Sequence, residues 1–121
     1  MDVFGIKLNG KLTCGENIAD LGGVKLAYRS LLKRLKDPSQ PPVPVINGFT
    51  PQQRFFLAWS QAWRGSITEE RAKQLVTLDP HGPNEFRCNG TLSNIDEFYD
   101  AFEVPLGSNM YRPPAERVVI W

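Results

Sequence analysis

The stretch Gly10-Lys11-Leu12-Thr13-Cys14-Gly15-Glu16-Asn17-Ile18-Ala19-Asp20-Leu21-Gly22-Gly23 decides how the chain is read. An apolar series grows out of it: Leu21, Val24, Tyr28, Leu31, Leu32 and Leu35 recur every three or four residues and trace one face of a helix. That spacing predicts a helix from about Glu16 to Leu35. Lys33, Arg34 and Lys36 cluster at its end, where cations complement the helix dipole. Gly22-Gly23 interrupts the series, and each glycine costs about 1 kcal/mol relative to alanine. The pair therefore predicts close packing against another backbone, or a bend. Glu16 and Asp20 stand four apart and share a face. They read as a solvated pair favoured by the positive helix N-terminus, or else as one carboxylate on a metal with the other oriented behind it. Spacing does not choose.

Outward from this helix the chain is short-elemented. Met1 to Leu12 is mixed, with turn signals at Gly5 and Asn9-Gly10. Asp37-Pro38-Ser39-Gln40-Pro41-Pro42-Val43-Pro44 is incompatible with a helix and opens an internal proline-rich linker over 37–48. Thr50-Pro51-Gln52-Gln53 then starts a second helix. Thr50 suits the N-cap, Pro51 the first helical position, and Gln53 completes a capping box. Phe55, Phe56, Trp59, Ala62 and Trp63 form its aromatic stripe, either a core-facing surface or a ligand platform. A third helix is expected over Thr68 to Thr77, with Ala72, Leu75 and Val76 inward. Asp79-Pro80-His81-Gly82-Pro83 is loop, and Asn94 with Glu97 begins a fourth short helix carrying Ile95, Phe98, Ala101 and Phe102. The tail from Glu103 is irregular and ends in an apolar Val118-Val119-Ile120-Trp121. The expected fold is mainly α with irregular loops.

Composition narrows the class. The 121 residues carry 14 Lys+Arg against 13 Asp+Glu, so the basic footprint of a nucleic-acid binder is missing. No run of about 18 apolar residues exists to span a bilayer. Met1-Asp2-Val3-Phe4-Gly5 lacks the charged and apolar regions of a signal peptide. Ten glycines and ten prolines exceed the usual joint share of roughly 12% and predict much irregular backbone. Cys14 and Cys88 are too few for a disulfide scaffold and read as small buried hydrophobes. His81 is the single histidine, and one imidazole does not make a zinc site, which takes three or four protein ligands. In a loop flanked by proline and glycine it reads as exposed. Arg87 follows six residues later; a histidine and an arginine brought together are able to donate to a developing oxyanion, and an arginine alone is ordinarily solvated.

The Gly10–Gly23 stretch resembles the GKLTxGENIADLGG segment of the neprilysin-type zinc metalloendopeptidases. Phe49-Thr50-Pro51-Gln52-Gln53-Arg54-Phe55-Phe56 is similar to that family's FTPxQxFF, and Gln61-Ala62-Trp63 follows in order. Asp79-Pro80-His81-Gly82-Pro83 and Phe86-Arg87-Cys88-Asn89-Gly90 resemble DxHxP…FRxNG. Asn94, Phe98, Ala101-Phe102, Met110 and the final Trp121 carry the resemblance to the end. The resemblance implies the C-terminal helical part of a thermolysin-like zinc metallopeptidase catalytic domain. It implies a zinc cofactor, oligopeptide substrates, and roles for four residues. Glu16 matches the third zinc ligand, and Asp20 the acid that orients a zinc-bound histidine. His81 matches the histidine that stabilises the tetrahedral intermediate, and Arg87 the arginine that hydrogen-bonds a substrate carbonyl.

The family's HExxH, which supplies two zinc ligands and a general base from one helix, does not occur in this sequence. In the family it precedes the GENIAD segment. The expectation is therefore that residues 1–121 are the C-terminal part of a longer polypeptide and act with its N-terminal part. Alone, the chain is expected neither to hold catalytic zinc nor to hydrolyse peptides, and to self-associate through uncovered apolar surface. The alternative is a noncatalytic helical interaction module using the Phe55/Phe56/Trp59/Trp63 face or the exposed site cleft. Secreted and membrane-anchored animal members carry cysteines where Arg64, Val104 and Val118 stand here. Their loss suits a bacterial member, periplasmic or secreted. Cys14 and Cys88 occupy places that are usually aliphatic in the family, which implies core packing for both.

Overall fold

The computed structural model describes residues 2–120, so expectations for Trp121 lie outside the described residues. A small hairpin comes first: β1 (Asp2–Val3) pairs antiparallel with β2 (Ile6–Lys7), Asp2 opposite Lys7 and Val3 opposite Ile6. Its turn places Phe4 at φ 50° and Gly5 at φ 83°, and the Asp2 carboxylate accepts the Gly5 N–H at 2.7 Å. Five α-helices follow among the described residues: α1 (Gly10–Lys36), α2 (Pro51–Ala62), α3 (Glu69–Leu78), α4 (Asn84–Leu92) and α5 (Asp96–Phe102). The expected mainly α class is the observed one.

The first helix begins six residues before its expected start. Asn9, read as half of a turn, is its N-cap: the side-chain oxygen accepts from Lys11 N and Leu12 N. Glu16 and Asp20 consequently sit beyond the first turn, where the field of the helix N-terminus has faded. The helix also runs unbroken through Gly22-Gly23. Gly22 is buried, and a Cβ on Gly23 would meet nothing within 4 Å. The expected close approach is therefore not made at Gly23.

The apolar stripe of α1 forms one wall of the core. Leu21, Val24 and Tyr28 are buried with Phe56 of α2, Leu92 of α4 and Ile95, while Leu31, Leu32, Phe55, Trp59 and Phe98 pack around them. Tyr28 stacks on Phe56 with centroids 5.1 Å apart, and Phe98 meets Phe56 edge-on at 5.6 Å. Burial pushes the Tyr28 phenol above its ordinary pKa, helped by the charges of Glu97 and Asp100. The aromatic stripe of α2 thus faces the core, with Phe56 buried and Phe55 and Trp59 partly buried against it.

Segment 37–50 is extended and turned, ending in a bridge between Ile46 and Phe49. Arg34 donates to Pro41 O at 2.9 Å, and Arg54 donates to Pro44 O at 2.8 Å and Phe49 O at 3.0 Å. Residues 84–92, around Arg87, had no helix assigned from the sequence and form α4, packed on α1. The last helix starts two residues later than expected because Asn94 is engaged elsewhere. Its amide donates to Gly90 O at 2.6 Å and its oxygen accepts from Val118 N at 2.7 Å, tying down the tail. A short 3-10 turn (Pro114–Glu116) is the regular structure in that tail. No helix of the described residues is long and apolar enough to cross a membrane.

Candidate active site

The α1–α4 packing brings together residues about seventy positions apart. Arg87, on the first turns of α4, grips Asp20 of α1 with two parallel bonds, Nε to Oδ2 at 2.7 Å and Nη2 to Oδ1 at 2.6 Å. This is the fork geometry that suits guanidinium to carboxylate. The same Nη2 reaches Glu16 Oε2 at 3.3 Å. Asp20 is 8% exposed, so a solvated carboxylate pair is not what forms. The hydrogen bond to Asp20 holds the Arg87 pKa above its ordinary value against burial, and the charges of Asp20 and Glu16 add to it. Beneath Arg87 lies the Trp63 ring, 4.1 Å from the guanidinium carbon to the ring centroid.

His81 approaches from the other side on the loop between α3 and α4. Its Nε2 lies 3.5 Å from Glu16 Oε2, and its side chain is half exposed, as its loop setting led one to expect. Asp79 orients it: Oδ1 stands 2.6 Å from His81 Nδ1 and accepts the His81 backbone N–H at 2.9 Å. These two bonds, backbone first, hold the Asp79 carboxyl below the ordinary carboxylate range. With Nδ1–H given to Asp79, Nε2 is the nitrogen turned towards Glu16.

All four residues singled out from the sequence, Glu16, Asp20, His81 and Arg87, therefore meet in one place. Two further residues belong to the arrangement and carried no role in the sequence reading. Asp79 had a local signal, since an aspartate two residues before its partner is the spacing of an Asx turn. Trp63 was placed only in the aromatic stripe, because nothing local says that Arg87 of α4 will lie over its ring. Cys14 corrects an expectation: it is exposed beside Leu8 and Ile18, not core. Cys88 is partly buried at the core edge and donates weakly to Ser60 Oγ at 3.4 Å.

The donor set matches one position of a metal site and not a whole one. Glu16 Oε1 makes no hydrogen bond among the described residues and is free to bind a cation. Yet those residues contain no group of three or more His, Cys, Asp or Glu side chains that could hold a metal. Asp20, which the resemblance places behind a histidine, here accepts one bond from Arg87 at each oxygen.

Similarity to known proteins extends over almost the whole chain. The model of peptidase family M13 matches residues 1–118. An endothelin-converting enzyme homolog of Locusta migratoria is 44% identical over 115 residues, covering 94% of this chain and 15% of that protein. Neprilysin-1 of Caenorhabditis elegans is 40% identical over 118 residues, again 96% of this chain and 15% of the relative. The crystal structure of the Mycobacterium tuberculosis zinc metalloprotease ZMP1 with an inhibitor superposes with a TM-score of 0.86. It is 42% identical and covers 98% of this chain and 18% of that one. The chain thus spans less than a fifth of the length of these relatives, and within that span it belongs to peptidase family M13.

Proposed function

We propose that this chain is the portion of a zinc-dependent metalloendopeptidase that completes the metal shell and binds the reacting carbonyl of an oligopeptide. The observation that carries the proposal is the convergence of Glu16, Asp20, His81 and Arg87 across some seventy residues of sequence. Glu16 contributes one ligand through Oε1, and the remaining ligands come from polypeptide outside residues 1–121. Alone, the chain is inactive. Zinc, when bound, supplies a Lewis acid and lowers the pKa of its water towards about 7.

The chain's own residues do the rest. Asp20 fixes the guanidinium plane by occupying Nε and Nη2, which leaves Nη1 without a partner among the described residues. Nη1 is the donor offered to a substrate carbonyl. His81 is held by Asp79 with Nε2 outward, and its protonated form offers an N–H where negative charge develops on a tetrahedral carbon. Trp63 supports Arg87 from below and keeps water off that face.

The test is replacement of His81 with phenylalanine in the polypeptide that carries this segment. Removing one oxyanion donor costs about 2.7–4 kcal/mol of barrier. The expected result is a fall in kcat of about 10²–10³ with zinc content unchanged. Undiminished hydrolysis would overturn the role of His81.

A further inference from the structure

A cleft of about 650 Å³ opens beside His81, between the β1–β2 hairpin, α3 and the loop leading into α4. Its floor is apolar, built by Val3, Ala72 and Val76, with Phe4 and Ile67 at the margin. Phe4 is 56% exposed and Ile67 54%, so both are open to a ligand. Three carboxylates line the same cleft: Asp2, Asp79 and Glu85. No lysine or arginine lines it, and His81 is its single basic side chain.

The carboxylates are not used up by their neighbours. Glu85 makes no hydrogen bond or ion pair among the described residues. Asp79 gives only Oδ1 to His81, and its Oδ2 has no hydrogen bond among them. Arg71 of α3 adds a favourable charge to Asp79, but its guanidinium donates to Gln74 at 3.4 Å. An apolar floor with acidic walls and an aromatic margin complements one kind of group, an alkyl stem ending in a cation.

We propose that this cleft receives an arginine or lysine side chain of the peptide. The assignment rests on the peptidase reading above, because His81 and Asp79 belong to both the cleft and the candidate site and so join the two. A peptide whose carbonyl faces Arg87 and His81 passes its neighbouring side chain over that shared edge. The stem covers Val3 and Val76 while the cation meets Glu85 and Asp79. The site therefore favours peptides with a basic residue next to the bond acted upon.

The test uses the longer polypeptide that carries this segment, isotope-labelled within residues 1–121 and followed by amide NMR. The probes are N-acetyl-arginine amide, its uncharged counterpart N-acetyl-citrulline amide, and N-acetyl-phenylalanine amide. The arginine probe is expected to shift the amides of Val3, Ile67, Val76 and Glu85. It should bind about fivefold more tightly than citrulline, the scale of one exposed charge pair, and the advantage should shrink with added salt. Glu85→Gln and Ile67→Lys should each weaken it; both positions are exposed, so the core is undisturbed. Equal binding of arginine and citrulline, tighter binding of phenylalanine, shifts elsewhere, or no shift would each overturn the assignment. Binding is read without zinc or hydrolysis, so a negative result removes the cleft assignment alone. Absence of both zinc and peptide hydrolysis in the unmutated polypeptide that carries this segment removes the peptidase reading and leaves the measured binding standing.

Discussion

Arg87 makes more of the site's contacts than any other side chain, and its removal should register first as lost stability. Arg87→Ala leaves the Asp20 carboxylate, 8% exposed, without either of its donors. Breaking such a pair from one side costs about 3–5 kcal/mol, measurable by urea unfolding of the chain. Adding Asp20→Asn should recover part of the loss, since the stranded charge is then gone. An Arg87→Ala chain as stable as its parent would show that the fork contributes nothing. Asp79 yields a pH prediction. Its carboxyl is held below the ordinary range by bonds from His81, so its charge stabilises the fold at pH above the unfolded aspartate value of about 3.9. That contribution is lost as pH falls through the lower folded value. Compared with Asp79→Asn, the parent chain should keep a steady advantage at neutral pH that disappears in acid. An advantage that persisted in strong acid would contradict the assigned cause.

At the scale of the element, what was legible in the sequence was what neighbours in sequence decide. The α2 start is such a case: Gln53 N–H donates to Thr50 Oγ1 at 3.1 Å, and Thr50 N–H donates to Gln53 Oε1 at 3.0 Å. Thr50→Ala should cost about 1 kcal/mol. Gln53→Ala should cost more, because its Nε2 also donates to Ala101 O at 2.8 Å, at the far end of α5. Equal losses in thermal or urea unfolding would deny that second bond any weight. The α4 helix was illegible for the complementary reason. Pro83 is its N-cap and offers no side-chain cap bond, and the helix is fixed by packing on α1. The early start of α1 was hidden because Asn9-Gly10 fits a turn as well as a cap.

The site belongs to the whole molecule. Spacing put Glu16 and Asp20 on one helical face but left their role open, and nothing in spacing joined them to Arg87. Only the resemblance did so, and the packing of α4 across α1 is its physical counterpart. At this scale Glu16, Asp20, His81 and Arg87 meet while no group of ligands among the described residues could hold a metal, and the chain, matched over 94–96% of its own length, spans 15% of its relatives. The most direct measurement is zinc content and peptide hydrolysis in the polypeptide that carries this segment, with and without Glu16→Ala. The expected result is loss of both stoichiometric zinc and hydrolysis in the variant. Full zinc occupancy with hydrolysis intact would contradict the assignment of Glu16 as a metal ligand.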